Sequence, residues 1–363
     1  MPLSAPATPL VGREAIVHSL IAKINDPGIR LLTLTGAGGI GKTRIALAVA
    51  WQLDRTVAFV PLAPIARPDL VAATTAQSIG LEPISNAHAY VTLRDALRDR
   101  SLVLILDGFE HLSQASLLDS DLLAACPLLT VLVTNRSRLA ILGESVIPVE
   151  PLKLPTGADD AAVGESEAVR LFVARSREVH PEFSLNRDNR DAVARVCTSL
   201  DGLPLAIELA AARSNLLSPQ ALAARLEHRL QLLTDGPNDL PARLQTMRAA
   251  IAWSVDLLEE AELRVWEHLG VCSGGFSLEA VESLVADLGF RDRDGLAVVQ
   301  SLIDQGIIRQ IANKIGEPRF GMLETTREYA VELLRAGDRE SDARRLHATH
   351  LEAWSRILQI GLT

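Results

Sequence analysis

The sequence predicts an α/β fold: a P-loop parallel three-layer sheet domain, then a small helical domain, then a winged-helix domain. Three observations carry this expectation. From Leu10 to about Glu150, short apolar runs alternate with helical segments, the pattern of a parallel sheet covered on both faces. From Glu165 to Leu233 the apolar period is helical, broken only at Asp201-Gly-Leu-Pro-Leu205 and Ser218-Pro219. Beyond Pro241, several helical segments precede two short β-prone pieces, Ile307–Ile311 and Arg319–Met322, an order that suits a winged helix.

Taken in order, residues 1–9 carry three prolines and read as a flexible lead-in. The sheet domain is expected over 10–155, with strands Leu31–Thr35, Val57–Leu62, Leu102–Leu106, Thr130–Thr134 and Val146–Val149. A linker rich in Pro, Gly and Asp, Pro151 to Gly164, leads into the helical domain, 156–236. The winged-helix domain, 237–340, is expected to hold helices Ala242–Leu258, Ala261–Leu269, Leu278–Leu288 and Gly295–Gln305 before its β pieces. Residues 341–363 form a last helix, read as a connector, and no internal repeat or low-complexity tract is present.

Composition narrows the class. Hydrophobic residues are 48% and aromatics 4%, so the cores are Leu, Ala, Val and Ile, as helices and buried parallel strands require rather than aromatic-rich sandwiches. A formal net charge of −9 gives no bulk attraction to nucleic acid. Cys126, Cys197 and Cys272 are odd in number and far apart, which suits a reducing cytosol. The first nine residues lack the basic start and apolar core of a signal peptide, and no apolar run is long enough for a membrane span. A cytoplasmic protein is expected.

Gly36-Ala-Gly-Gly-Ile-Gly-Lys42-Thr43 fits G-x-x-x-x-G-K-[ST] and lies between an apolar, β-branched strand and an Ala- and Leu-rich helix from Arg44 to Leu53. That order is what phosphate binding needs. Glycines let backbone N–H groups close on phosphate oxygens, and the helix N-terminus adds partial positive charge. Lys42 would reach the β- and γ-phosphates and the Thr43 hydroxyl would ligate Mg²⁺. Only Lys23, Lys42, Lys153 and Lys314 are lysines, and one of them falls where this loop demands it. Gly36, Gly38, Gly39, Gly41, Lys42, Thr43 and Arg44 are therefore the candidate nucleotide-binding residues, with ADP or ATP and Mg²⁺ as ligands.

The Mg²⁺ shell needs an acidic residue on a neighbouring strand, and Asp107 ends Leu102-Val-Leu-Ile-Leu106. In many P-loop ATPases a second carboxylate beside it polarises the attacking water; here the neighbour is Gly108, and Glu110 would need a sharp backbone turn to serve. Slow hydrolysis is the expectation. Thr130-Val-Leu-Val-Thr-Asn-Arg136 reads as another strand ending in polar groups, at the C-terminal edge where such sheets bind ligands. Arg136 is a candidate γ-phosphate sensor, since a guanidinium bonds two phosphate oxygens at once, and Arg138 is the alternative. The candidate catalytic set is Asp107, Arg136 and Glu110.

Pro9-Leu-Val-Gly-Arg-Glu14, the P-loop, Leu-Ile-Leu-Asp107, Val-Thr-Asn-Arg136, Gly202-Leu-Pro-Leu-Ala206 and Phe320-Gly-Met-Leu-Glu-Thr-Thr-Arg-Glu-Tyr-Ala330 occur in that order. The set resembles the STAND class of P-loop NTPases, specifically the NB-ARC (NOD) module of bacterial regulators, apoptotic scaffolds and plant resistance proteins. The resemblance spans residues 8–340. It implies a switch whose helical and winged-helix domains close over ADP and swing apart when ATP replaces it. It also implies Arg13 near the nucleotide, Pro204 against the adenine, a C-terminal helical-repeat sensor, a separate effector domain or protein, and self-assembly in the ATP state. Two positions depart from the pattern: Leu323 stands where the family often has a histidine that contacts the ADP β-phosphate, and Gly108 where it commonly has Asp or Asn.

Three other classes compete with the switch, of which a nucleotide-independent scaffold is set aside by the intact Lys42, Thr43 and Asp107. A winged-helix regulator that binds DNA directly needs a basic face. Between Asp239 and Glu340, however, about eleven Arg and Lys face about eighteen Asp and Glu, so direct nucleic-acid binding by this chain is not expected. An efficient remodelling ATPase needs a catalytic carboxylate that Gly108 does not supply. His347 and His350, at helical spacing on the last helix, read as a solvated face rather than a metal site.

Overall fold

The structure, a computed structural model, describes residues 8–65, 67–82, 86–110, 112, 120–155, 160–234, 236, 241–311 and 318–360. The chain divides into two compact units, Met1–Gly36 with Ile40–Pro151, and Ala37–Gly39 with Leu152–Thr363.

The first unit is built on five parallel strands: β1 (Leu31–Thr35), β2 (Val57–Pro61), β3 (Leu102–Asp107), β4 (Leu129–Thr134) and β5 (Glu144–Pro148). Their order is β2-β3-β4-β1-β5. Every residue of β3 and β4 is buried, as strands covered on both faces must be, which is why they read as unbroken apolar runs. At the sheet edge, β5 is only partly covered. One face holds Leu104, Leu106, Val131, Val133, Leu93 and Leu97 in a single core, where truncating a leucine to alanine costs about 2–5 kcal/mol. The helix Lys42–Gln52 follows β1 and packs on β3 and β4. Because β4 lies between β1 and β3, its C-terminal end sits beside both the glycine loop and Asp107.

After a short helix Asp160–Glu165, the second unit continues with helices Glu167–Val179, Arg190–Ser199, Pro204–Ala211 and Pro219–Arg225. The linker's start is held firmly within it. Leu152 N donates to Gly202 O at 2.9 Å, Lys153 N to Glu167 Oε2 at 3.0 Å, and Ser166 Oγ to Lys153 O at 2.8 Å. Gly202 has φ +68°, and a Cβ there would come within 2.3 Å of Leu152 O, so glycine is required by both conformation and space.

Further on come helices Glu260–Leu269, Leu278–Asp287 and Gly295–Asp304, then β7 (Ile308–Ile311) and β8 (Arg319–Met322). A two-residue strand, β6 (Phe276–Ser277), completes an antiparallel sheet of order β6-β8-β7. It is too short to leave a period in the sequence. The expected helix Ala242–Leu258 is instead a 3₁₀ turn, Ala242–Leu244, and a helix Met247–Val255. Thr246 divides them: it is extended (φ −138°, ψ 151°), and its hydroxyl caps the second helix by accepting from Ala249 N. Helices Glu324–Ala336 and Glu340–Ile360 close the chain. Among the described residues no helix is long and apolar enough to cross a membrane.

Candidate nucleotide-binding site

The glycine loop takes the backbone that phosphate wrapping demands. Gly36, Gly39 and Gly41 have φ of 143°, 77° and 98°, a region costly for any residue with a Cβ, whereas Gly38 stays out of it. Gly41 is the N-cap of the helix Lys42–Gln52 and has no side chain to offer its first amides, leaving that helix end suited to an anion. Gly36 N donates to Arg136 O at 3.2 Å, which ties the loop to the end of β4. Lys42 is buried at 7% exposure, and its Nζ donates to Gly36 O at 2.7 Å, so the ammonium is folded over the loop.

Thr43, next along, is exposed, and its hydroxyl donates to Asp107 Oδ1 at 2.8 Å. The same oxygen accepts the Thr134 hydroxyl, also at 2.8 Å, and Thr134 Oγ1 accepts from Gly108 N at 2.8 Å. Burial pushes the Asp107 carboxyl above its ordinary range, against the downward pull of the two threonine hydroxyls.

Gly108 turns the chain sharply at φ +80°, and a Cβ there would meet Ala63 Cβ at 2.9 Å. A carboxylate beside Asp107 therefore has no room with this backbone. The turn brings Glu110 into electrostatic reach of Asp107, half-buried beyond Phe109. Arg136 is buried at the end of β4 and Arg138 is exposed.

Arg13 is also buried, and its Nη2 donates to Ile40 O at 3.3 Å, a carbonyl of the loop itself. The Arg44 guanidinium donates to Thr8 O at 3.0 Å, Thr8 Oγ1 at 2.8 Å and Pro9 O at 3.0 Å, fastening the end of the lead-in. In the second unit, Pro204 is the first residue of the helix Pro204–Ala211, where its missing N–H is no loss. Leu323 is buried at the N-cap position of the helix Glu324–Ala336.

The first-unit residues fit a nucleoside phosphate with Mg²⁺. Gly36 and Gly41 at positive φ, a buried lysine and an uncapped helix start meet a hydroxyl–carboxylate pair at 2.8 Å, and hard oxygen donors of that kind suit Mg²⁺. Thr134 was not singled out by the sequence. Its one signal is a polar residue ending an apolar run, and only the β3–β4 register, which pairs Asp107 with Thr134, gives it meaning.

The fold and loop define a P-loop NTPase domain followed by a winged helix-turn-helix domain. Residues 28–142 match the AAA domain family and residues 258–335 the winged helix-turn-helix domain family. "Putative HTH-type transcriptional regulator Rv0890c" of Mycobacterium tuberculosis (strain ATCC 25618 / H37Rv) is 37% identical over 333 residues, 90% of this chain but 36% of that protein. The chain thus spans about a third of the length of the regulators of this kind that it matches. "Uncharacterized protein Rv0894" of the same strain is 32% identical over 361 residues, 98% of this chain and 88% of that protein. The chain belongs to the family of that protein. Among solved structures, the Aeropyrum pernix ORC2 protein matches over 93% of this chain and 97% of its own at 13% identity and a TM-score of 0.47.

Proposed function

We propose that this chain is the core of an ATP/ADP-dependent signal-transduction switch of the STAND, NB-ARC kind, closed with ADP and opened by ATP, with slow hydrolysis as its reset. The observation that carries the reading is the combination of an intact phosphate and Mg²⁺ constellation with Gly108, where a carboxylate has no room. Lys42 would bind the β- and γ-phosphates, Thr43 and Asp107 would hold Mg²⁺, and Arg136 would register the γ-phosphate. Arg13, bonded to Ile40 O, would lie near the nucleotide. Mg²⁺ supplies charge neutralisation on the phosphates; the side chains orient it.

A ligand moves a conformational balance only by its differential affinity for the two states. Going from 1:99 to 99:1 takes about 5.5 kcal/mol, a magnitude within reach of one phosphate, its metal and an arginine. Three domains, 10–155, 156–236 and 237–340, with 341–363 as connector to a sensor, remain our division of the chain. The test is to denature freshly purified protein and identify the released nucleotide. Near-stoichiometric ADP, absent from Lys42→Ala, supports the switch; an empty site with rapid ATP turnover overturns it.

A second reading, a DNA-binding regulator, is favoured by the winged helix-turn-helix match and by the names of the regulators that this chain resembles. Against it, the helix Gly295–Asp304, sequence GLAVVQSLID, has no Lys or Arg with which to contact phosphate. A salt-dependent gel shift with this chain alone would establish that reading in place of the switch's separate effector.

A further inference from the structure

We propose that Thr134 is a positioning residue for the Mg²⁺-nucleotide complex, acting through Asp107. The proposal rests on the nucleotide-binding reading above and deepens it.

Thr134 is the last residue of β4, buried at 1% exposure, and pairs in register with Asp107 at the end of β3. Its hydroxyl has one proton and receives one. Gly108 N–H has only donor character, so in the bond at 2.8 Å the threonine oxygen must accept. The hydroxyl proton is thereby directed to Asp107 Oδ1, also at 2.8 Å. The backbone reinforces this: Phe109 N donates to Thr134 O at 3.1 Å, so the whole Asp107–Phe109 turn is tied to one residue. β-Branching limits the side chain to few rotamers, which keeps the hydroxyl in place.

Asp107 Oδ1 therefore has two hydroxyl donors, one from each side. Thr43 belongs to the exposed mouth of the site and is itself a candidate Mg²⁺ ligand. Thr134 belongs to the closed strand end, so it fixes the carboxylate plane independently of what Thr43 does. Valine would fill the same shape yet leave Gly108 N–H and Asp107 Oδ1 each without this partner. The donors that orient Asp107 Oδ1 are thus the two threonine hydroxyls, and Thr134 is the buried one.

The test compares Thr134→Ser, Thr134→Ala and Thr134→Val with the unaltered chain by titration calorimetry, using ATP with Mg²⁺ and ATP with EDTA. Ser and Ala lose the same methyl group, so a difference between them isolates the hydroxyl from packing. A hydrogen bond to a charged group predicts an affinity loss of about 10- to 100-fold for Ala and Val with Mg²⁺, with Ser within about threefold of the unaltered chain. With EDTA all four should bind alike, because the loop's phosphate contacts do not run through Thr134. The inference is overturned if Ala binds Mg²⁺-ATP as well as Ser, or if the loss is equal with and without Mg²⁺. If the unaltered chain binds no nucleotide under either condition, the P-loop reading fails and this inference falls with it.

Discussion

Asp201 Oδ2 accepts a hydrogen bond from Glu324 N at 2.6 Å, across 123 residues of sequence. Leu323, at the N-cap position of the helix Glu324–Ala336, has no side-chain acceptor for the first turn, and Asp201 supplies one from the Gly-Leu-Pro-Leu turn instead. Around the bond, Arg229 reaches Glu324 at 3.3 Å and Glu328 at 3.6 Å, and Arg327 pairs with Glu324 at 2.9 Å. Burial works to raise the Glu324 carboxyl, but the Arg327 and Arg229 guanidiniums outweigh it and hold it below its usual range. Two motifs that are separate in sequence are one joint within the second unit.

That joint makes a graded prediction. Asp201 has φ +52°, which asparagine tolerates, and the amide oxygen can still accept, so Asp201→Asn should shift stability by only about 0.5 kcal/mol. Asp201→Ala loses the cap and is strained at that φ, a combined cost of about 1–3 kcal/mol. Urea midpoints followed by tryptophan fluorescence would separate the two; equal midpoints would show that the cap contributes nothing.

Gly202→Ala should be worse than either. The new Cβ would lie 2.3 Å from Leu152 O, against backbone that cannot yield without breaking the Leu152–Gly202 hydrogen bond. Limited proteolysis is the measure: cleavage should rise in 150–155 and leave the first unit intact. An unchanged digestion pattern would mean that the linker is not pinned there.

Much of the first unit was legible because its strands are buried on both faces and so read as continuous apolar runs; β3 and β4 were placed to within a residue. The P-loop was legible for a different reason, since phosphate wrapping forces glycine, lysine and threonine into a fixed spacing. Thr134 was not, because its role depends on strand order: β4 inserts between β1 and β3, which no local pattern announces. The Asp201–Glu324 bond was hidden for the same reason, joining residues whose proximity is set by folding alone. Arg44, nominated for the nucleotide by its adjacency to the motif, also has contacts that no local pattern announces: its guanidinium fastens Thr8 and Pro9.

Glu267 carries a nearly buried carboxylate, 4% exposed, in a two-pronged pair with Arg339: Nη2 donates to Oε1 at 3.1 Å and Nη1 to Oε2. Removing one partner strands the other, so Arg339→Ala should destabilise the second unit by about 3–5 kcal/mol. Arg339→Lys keeps the charge and loses the fork, and should fall between. A melting point for Arg339→Ala equal to that of the unaltered chain would contradict the pairing.

The last helix carries a pH response. Burial, and then the neighbouring His350, hold the His347 imidazole below its ordinary 6.5. It faces the Cys272 thiol, 3.4 Å from Nδ1, which burial pushes up to about 11 and so keeps neutral. His350 is itself 3.3 Å from Asp287. A histidine with a depressed folded value adds stability above its unfolded value, and that contribution is lost as pH falls through the folded one. Acidification from about pH 7 to about pH 5 should therefore lower the protection factors of the amides in 340–350, each taken against the intrinsic exchange rate at its own pH. His347→Gln should flatten that response, while the part due to buried His268, shifted the same way, remains. An undiminished response in His347→Gln would assign the effect elsewhere.

On the proposed switch, ADP and ATP select different states of this chain. The most direct measurement is hydrogen exchange on the chain loaded with ADP, and then with a non-hydrolysable ATP analogue and Mg²⁺, with Lys42→Ala as the control. Both nucleotides should protect the glycine loop and Asp107–Glu110, the pattern in residues 201–204 and 320–330 should differ between them, and Lys42→Ala should show neither effect. Identical exchange in those two segments with ADP and with the analogue, each bound at saturation, would contradict it and leave a nucleotide-binding protein that does not switch.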